Sequence, residues 1–139
     1  MKKIIRVLAA VAVINAGSLA FASDNQPAKI TAYYFHGSFR CVTCNNMEKY
    51  SREAIETNFK DAIASGKLEF KTVNVDERAN EHFVKDYQLY TKAVVLSLEK
   101  DGKEVKSKNL DQIWQLVRNK QKFIEYVTGE VNTFMEGLR

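Results

Sequence analysis

The stretch Lys29-Ile-Thr-Ala-Tyr-Tyr-Phe-His36, then Gly37-Ser-Phe-Arg40, Cys41-Val-Thr-Cys44 and the run Asn45 to Ser65 decides how this chain is read. Residues 29–36 are rich in β-branched and aromatic types, with apolar side chains on both parities. That pattern predicts a strand buried on both faces. Gly37 to Arg40 reads as a turn. From Asn45 on, Met47, Tyr50, Ala54, Ile55, Phe59, Ala62 and Ile63 fall on one helical stripe. Gly66 is placed to end that helix. The chain's 2 cysteines therefore stand at a strand-to-helix junction. The unpaired N–H groups and the dipole of a helix N-terminus stabilise a thiolate there. A thiolate attacks disulfides and binds soft metals, so the motif points to sulfur chemistry.

Upstream, residues 1–22 have the layout of a cleaved signal peptide. Lys2, Lys3 and Arg6 form a basic head, Val7 to Ile14 an apolar core, and Ala20-Phe-Ala22 a small-residue cleavage site. The apolar run falls short of the ~20 residues of a membrane span, and an uncleaved anchor is the competing reading. No cysteine near the cleavage site suggests a lipoprotein. Removing 22 of 139 residues leaves 117, one small domain over residues 23–139. The whole chain has 21 basic and 17 acidic residues; without the leader's three cations the balance is 18 to 17. Such a balance gives no reason to expect nucleic acid or an anionic membrane as partner. Export to the periplasm of a Gram-negative bacterium is the expectation, and that compartment lets disulfides persist.

Downstream, Leu68 to Val75 alternates as a strand and Glu81 to Gln88 reads as a short helix with Phe83, Val84 and Tyr87 inward. Ala93 to Leu98 is a third strand, buried in its first half. Asp101-Gly102 signals a hairpin, and Lys103 to Lys108 an edge strand guarded by lysines. From Leu110 a helical stripe runs to Phe134, with breaks expected at Asn119 or Gly129. The order is β-α-β-α-β-β-α, an α/β domain with a four-stranded mixed sheet and helices on both faces. Connections through helices predict three parallel strands, with the hairpin adding an antiparallel edge.

With this order and the Cys-x-x-Cys after the first strand, the chain resembles the thioredoxin fold from Lys29 to Arg139. Val73-Asn-Val-Asp76 and Lys100-Asp-Gly102 resemble the matching strand end and hairpin. Tyr34 to Cys41, Phe83 to Lys92 and Lys100 to Glu104 resemble a narrower group of small exported thioredoxin-like proteins. These are labelled nitrophenyl compound nitroreductase subunit or arsenic-operon-associated thioredoxin-like protein. No flavin fingerprint or Gly-rich phosphate loop accompanies that label, so nitro reduction by this chain alone is not expected. Three positions depart from thioredoxin. Arg40, Val42 and Thr43 replace the usual neighbours of the cysteines. Phe35 stands where thioredoxins bury a carboxylate. Thr91-Lys92-Ala93 lacks the cis-proline that faces the dithiol, and a trans bond is expected before Ala93, since cis costs ~3 kcal/mol without proline.

In the functional reading Cys41 is the nucleophile and Cys44 the resolving thiol. A static disulfide is the competing reading, but so small a loop contributes little entropic stabilisation. Arg40 and Lys92 are candidate cations for lowering the Cys41 pKa. His36, at the strand end, is a candidate proton shuttle or metal ligand. Phe39 and Ala93 are candidate substrate-facing residues, and His82 is expected in solvent. Two function classes follow. One is an exported thiol–disulfide oxidoreductase with no cofactor beyond a reversible Cys41–Cys44 disulfide. Its expected partners are protein or small-molecule thiols and disulfides and a membrane-linked redox protein, and it is expected to be monomeric. The other is a dithiol protein binding Cu(I), Zn(II) or As(III) through Cys41, Cys44 and His36.

Overall fold

Strand β1 (Lys29–His36) is one of the two inner strands of the sheet. The computed structural model describes residues 26–139, so the expected signal peptide and its expected cleavage point before Ser23 lie outside the described residues. After β1 come α1 (Val42–Asn58), α2 (Lys60–Ala64) and β2 (Leu68–Asn74). A 3-10 turn at Arg78–Asn80 leads to α3 (His82–Asp86), then β3 (Ala93–Lys100) and β4 (Lys103–Asn109). Two helices close the chain, α4 (Ile113–Leu116) and α5 (Lys120–Glu136). The four-stranded sheet runs β2-β1-β3-β4.

Strands β1 and β2 are parallel, with Tyr34 opposite Thr72. Strand β3 is antiparallel to β1, with Phe35 opposite Ala93. This corrects the expectation of three parallel strands. The cause is the shortness of the helix in the connection. A parallel return needs an element that runs the length of the sheet, and an eight-residue strand spans ~26 Å. Five-residue α3 spans only ~7.5 Å. The chain therefore turns back at the edge where β2 ended. As a result the C-terminal ends of β1 and β2, the start of β3 and the N-terminus of α1 share one edge.

The side chains of β1 do face two cores. Ile30, Ala32 and Tyr34 join Met47, Ile55, Phe123, Val127, Val131 and Phe134 beneath α1 and α5. Phe35 joins Leu89, Ala93 and Val95 on the other face, flanked by Tyr33, Phe83 and Tyr87. Strand β3 is buried from Ala93 through Leu98, beyond the first half expected. Val84 turns outward from α3 rather than inward. The predicted 45–65 helix starts earlier, at Val42, and breaks at Phe59 (φ −127°, ψ 34°). Just before the break, Asn58 Nδ2 donates to the Ala54 carbonyl at 2.8 Å, a side-chain bond that competes with the helical ladder. Gly66 (φ +72°) ends α2, with the Lys67 amide on the Ala62 carbonyl and its own amide on Ile63, a Schellman closure. Of the two breaks offered for the last helix, Asn119 is the one used. Its side chain caps α5 by accepting from the Lys122 amide at 3.1 Å. Gly129 stays helical. Asp101 and Gly102 both have positive φ, the backbone of a two-residue hairpin turn.

Candidate dithiol site

The turn after β1 delivers both cysteines to the shared edge of the sheet. Cys41 has extended backbone (φ −94°, ψ 167°) and is the N-cap of α1. Its Sγ accepts a hydrogen bond from the Cys44 amide at 3.2 Å. An oxygen of Ser, Thr, Asp or Asn usually fills that place; here a sulfur does. No acidic side chain in the first turn offsets the positive end of the helix. A reduced Cys41 is therefore favoured as thiolate. The two residues form a disulfide with Cα atoms 5.0 Å apart. Cys41 is half-buried and Cys44 fully buried, so solvent reaches one residue of the pair.

Tyr34 ties this first turn to the sheet. Its hydroxyl donates to the Cys44 carbonyl at 2.7 Å. Burial pushes the phenol up to about 12, so it remains a protonated donor. Arg40 forms an ion pair with Glu48, on the second turn of α1. Its guanidinium carbon lies 5.8 Å from the centroid of the Tyr34 ring. Arg40 Nε is buried with no hydrogen-bond partner among the described residues. Burial alone would raise the Glu48 carboxyl, but hydrogen bonds from Arg40, Arg52 and Thr72 outweigh it and hold the group below its usual range.

The other side of the turn is polar. The Ser38 amide donates to Asp76 Oδ2 at 2.6 Å, which together with the Ser38 side chain holds the carboxyl of Asp76 low. Lys92 and His36 add positive field at the same carboxylate. His36 Nδ1 lies 2.8 Å from the Gly37 carbonyl and must carry the proton there, since a carbonyl only accepts. His36, Val75, Leu89, Tyr90 and Lys92 line a cavity of about 220 Å³. Trp114 Nε1 donates to the Lys92 carbonyl at 3.0 Å, and a cleft of about 130 Å³ lies between Trp114 and Tyr90–Ala93. Phe39 (77 % exposed), Val42 (78 %), Tyr90 (95 %) and Trp114 (41 %) give this edge an apolar rim.

The residues singled out from sequence thus fall into three sets. Phe39, Arg40, Cys41 and Cys44 lie within six residues around the start of α1, with Phe39 exposed and Arg40 turned onto Glu48. His36 and Lys92 meet at one cavity beside Asp76. Ala93 is buried against Phe35 with a trans bond before it, and lines the Trp114 cleft. His82 is exposed, as expected. Sequence reading missed the Tyr34 hydroxyl, Glu48, Asp76 and Trp114. Glu48 lies four residues after Cys44, a spacing that puts both on one helix face and could have flagged it.

No protein-family model and no curated protein matches the chain. Among solved structures it is similar to a thioredoxin of Fasciola hepatica, 24% identical, covering 72% of this chain and 79% of that one with a TM-score of 0.41. It is also similar to thioredoxin O2 of Arabidopsis thaliana in the oxidised state, 13% identical over 69% and 76% with a TM-score of 0.40. A thioredoxin of Thermus thermophilus is 16% identical over 65% and 72%, with a TM-score of 0.39. With each pair of successive helices counted as one and the 3-10 turn set aside, the observed element order is the expected β-α-β-α-β-β-α, with the dithiol at the start of α1.

Proposed function

We propose that the protein is an exported thiol–disulfide oxidoreductase working through reversible oxidation of Cys41 and Cys44. One observation carries this reading: a half-buried Cys41 whose sulfur caps α1, bonded to a buried Cys44. In the reducing direction the Cys41 thiolate attacks a substrate disulfide and releases one substrate thiolate. The mixed disulfide is then attacked by Cys44. That step forms Cys41–Cys44 and frees the second substrate thiolate, so two electrons pass from the dithiol to the substrate. Run backwards, the same steps oxidise a substrate dithiol. The rim of Phe39, Val42, Tyr90 and Trp114 supports a partner that brings apolar side chains to the site.

Soft-metal binding is the other use of these sulfurs. Among the described residues no group of three His, Cys, Asp or Glu side chains stands together. That alternative therefore rests on two sulfurs, whereas a closed zinc site needs four ligands. The narrower resemblance to exported arsenic-operon-associated thioredoxin-like proteins fits the same dithiol chemistry.

Reduced protein mixed with glutathione disulfide or oxidised insulin tests the proposal. Expected are oxidation of the dithiol with matching substrate reduction, loss of both in Cys41→Ser, and a trapped mixed disulfide in Cys44→Ser. A dithiol that stays reduced under these conditions refutes the reading. For export, N-terminal sequencing from a Gram-negative host is expected to begin at Ser23, and intact Met1 in the membrane fraction would mean an anchor instead.

A further inference from the structure

Arg40 neighbours Cys41 in the chain, yet its charge is engaged elsewhere. Glu48 Oε2 takes the Arg40 guanidinium. The carboxylate is itself fixed from the other side, where Oε1 accepts from Arg52 Nη2 at 3.3 Å and from Thr72 Oγ1 at 3.2 Å. Arg52 is one turn further along α1 and Thr72 is on β2, so helix and sheet together aim Glu48 at Arg40. The guanidinium lies across Tyr34, whose hydroxyl holds the Cys44 carbonyl. Arg40 Nε, meanwhile, has no hydrogen-bond partner among the described residues. An ion pair largely cancels its own field at a third group, whereas a lone cation within ~4–6 Å of a thiol strongly favours the thiolate.

Building on the dithiol reading, we propose that Glu48 is a positioning residue that holds the Arg40 guanidinium on itself and away from the Cys41 sulfur. Cys41 is then less acidic, and the dithiol more reducing, than an adjacent arginine alone would make it. Without the Glu48 charge, the guanidinium turns to the thiolate beside it.

The test uses Cys44→Ser protein, in which Cys41 is the sole thiol. Its alkylation rate is followed against pH with Glu48→Gln, with Arg40→Gln and with both. Glu48→Gln is expected to raise the thiolate-to-thiol ratio about tenfold at a given pH, Arg40→Gln to change it less than about twofold, and the pair together to restore the starting ratio. With both cysteines present, Glu48→Gln makes the dithiol more oxidising by the equivalent of that tenfold, ~30 mV. An equal rise with and without Arg40 overturns the proposal, because Glu48 then acts through its own charge. A large fall in the ratio from Arg40→Gln alone overturns it too, because Arg40 then already acts on the sulfur. Should Glu48→Gln not fold, Glu48→Met takes its place in the same comparison with and without Arg40. Alkylation titrates the thiol whether or not the protein exchanges disulfides, so failed exchange counts only against the oxidoreductase reading.

Discussion

The two faces of the sheet are built by different means. Under α1 and α5 the face is apolar from end to end, from Ile30 and Leu98 through Ala32 and Leu96 to Tyr34 and Val94. Opposite, the five-residue α3 covers only the end near the dithiol, over Phe35, Ala93 and Val95. Farther along that face the pattern turns polar. Thr31 and Ser97 are buried register partners, one donating to Glu69 at 3.0 Å and the other to Glu104. Glu69 also pairs with Lys29 at 2.8 Å and Lys71 at 2.9 Å. One face anchors the sheet by burial. The other holds its far end by charge and leaves the near end, beside the dithiol, under a single turn of helix. Burial and charge therefore secure opposite sides of β1.

The largest effect separating the faces is expected in the core under α5. Phe123→Ala removes a fully buried ring that packs edge-on to Tyr50 and should cost about 3–5 kcal/mol in denaturant unfolding. Phe83→Ala removes a half-buried ring from the α3 side and should cost about 1–2 kcal/mol. Equal costs would break the comparison. Tyr34→Phe keeps the ring but deletes the bond to the Cys44 carbonyl. A loss of about 1 kcal/mol is expected, together with faster amide exchange in the first turn of α1. The smallest effect concerns the polar end. Burial alone would raise the Glu69 carboxyl, but Lys29, Lys71 and Thr31 bring it down to about 2 from an ordinary 4.5. Its folded pKa is depressed, so its contribution is fully present above pH ~4.5 and is lost as the pH falls toward 2. Solvent screening keeps that contribution modest. Thermal unfolding at pH 6, 4 and 2.5 should show Glu69→Gln flattening this part of the acid profile; an unchanged slope would leave the polar end without its electrostatic tie.

Strand identities, the dithiol at the head of a helix, the Asp101-Gly102 hairpin and a break at one of Asn119 and Gly129 were legible because each rests on local chemistry. Alternation, capping side chains and positive-φ turns are all written within a few residues. The direction of β3 was not, since Ala93 to Leu98 reads alike in either direction. Only the shortness of α3 decides it, and α3 proved shorter than its apolar spacing implied. Within the site, Cys41 and Cys44 were evident from spacing. The turn of Arg40 toward Glu48, the Tyr34 hydroxyl and the Trp114 indole depend on contacts between distant segments that no window of sequence displays. Val84 carries a related lesson: an apolar residue on a one-turn helix has little core to reach.

The sulfur that caps α1 makes one backbone amide a gauge of electron count. In the disulfide, the Cys44 N–H points at a neutral Cys41 Sγ 3.2 Å away. Adding two electrons replaces that acceptor with a thiolate, and a charged acceptor binds a donor more strongly. Reduction of the disulfide is expected to move the Cys44 amide resonance and to slow its exchange. Such a shift would make that proton a native label of the thiol or disulfide state, readable in a spectrum of the unmodified chain without dye, alkylating agent or substrate.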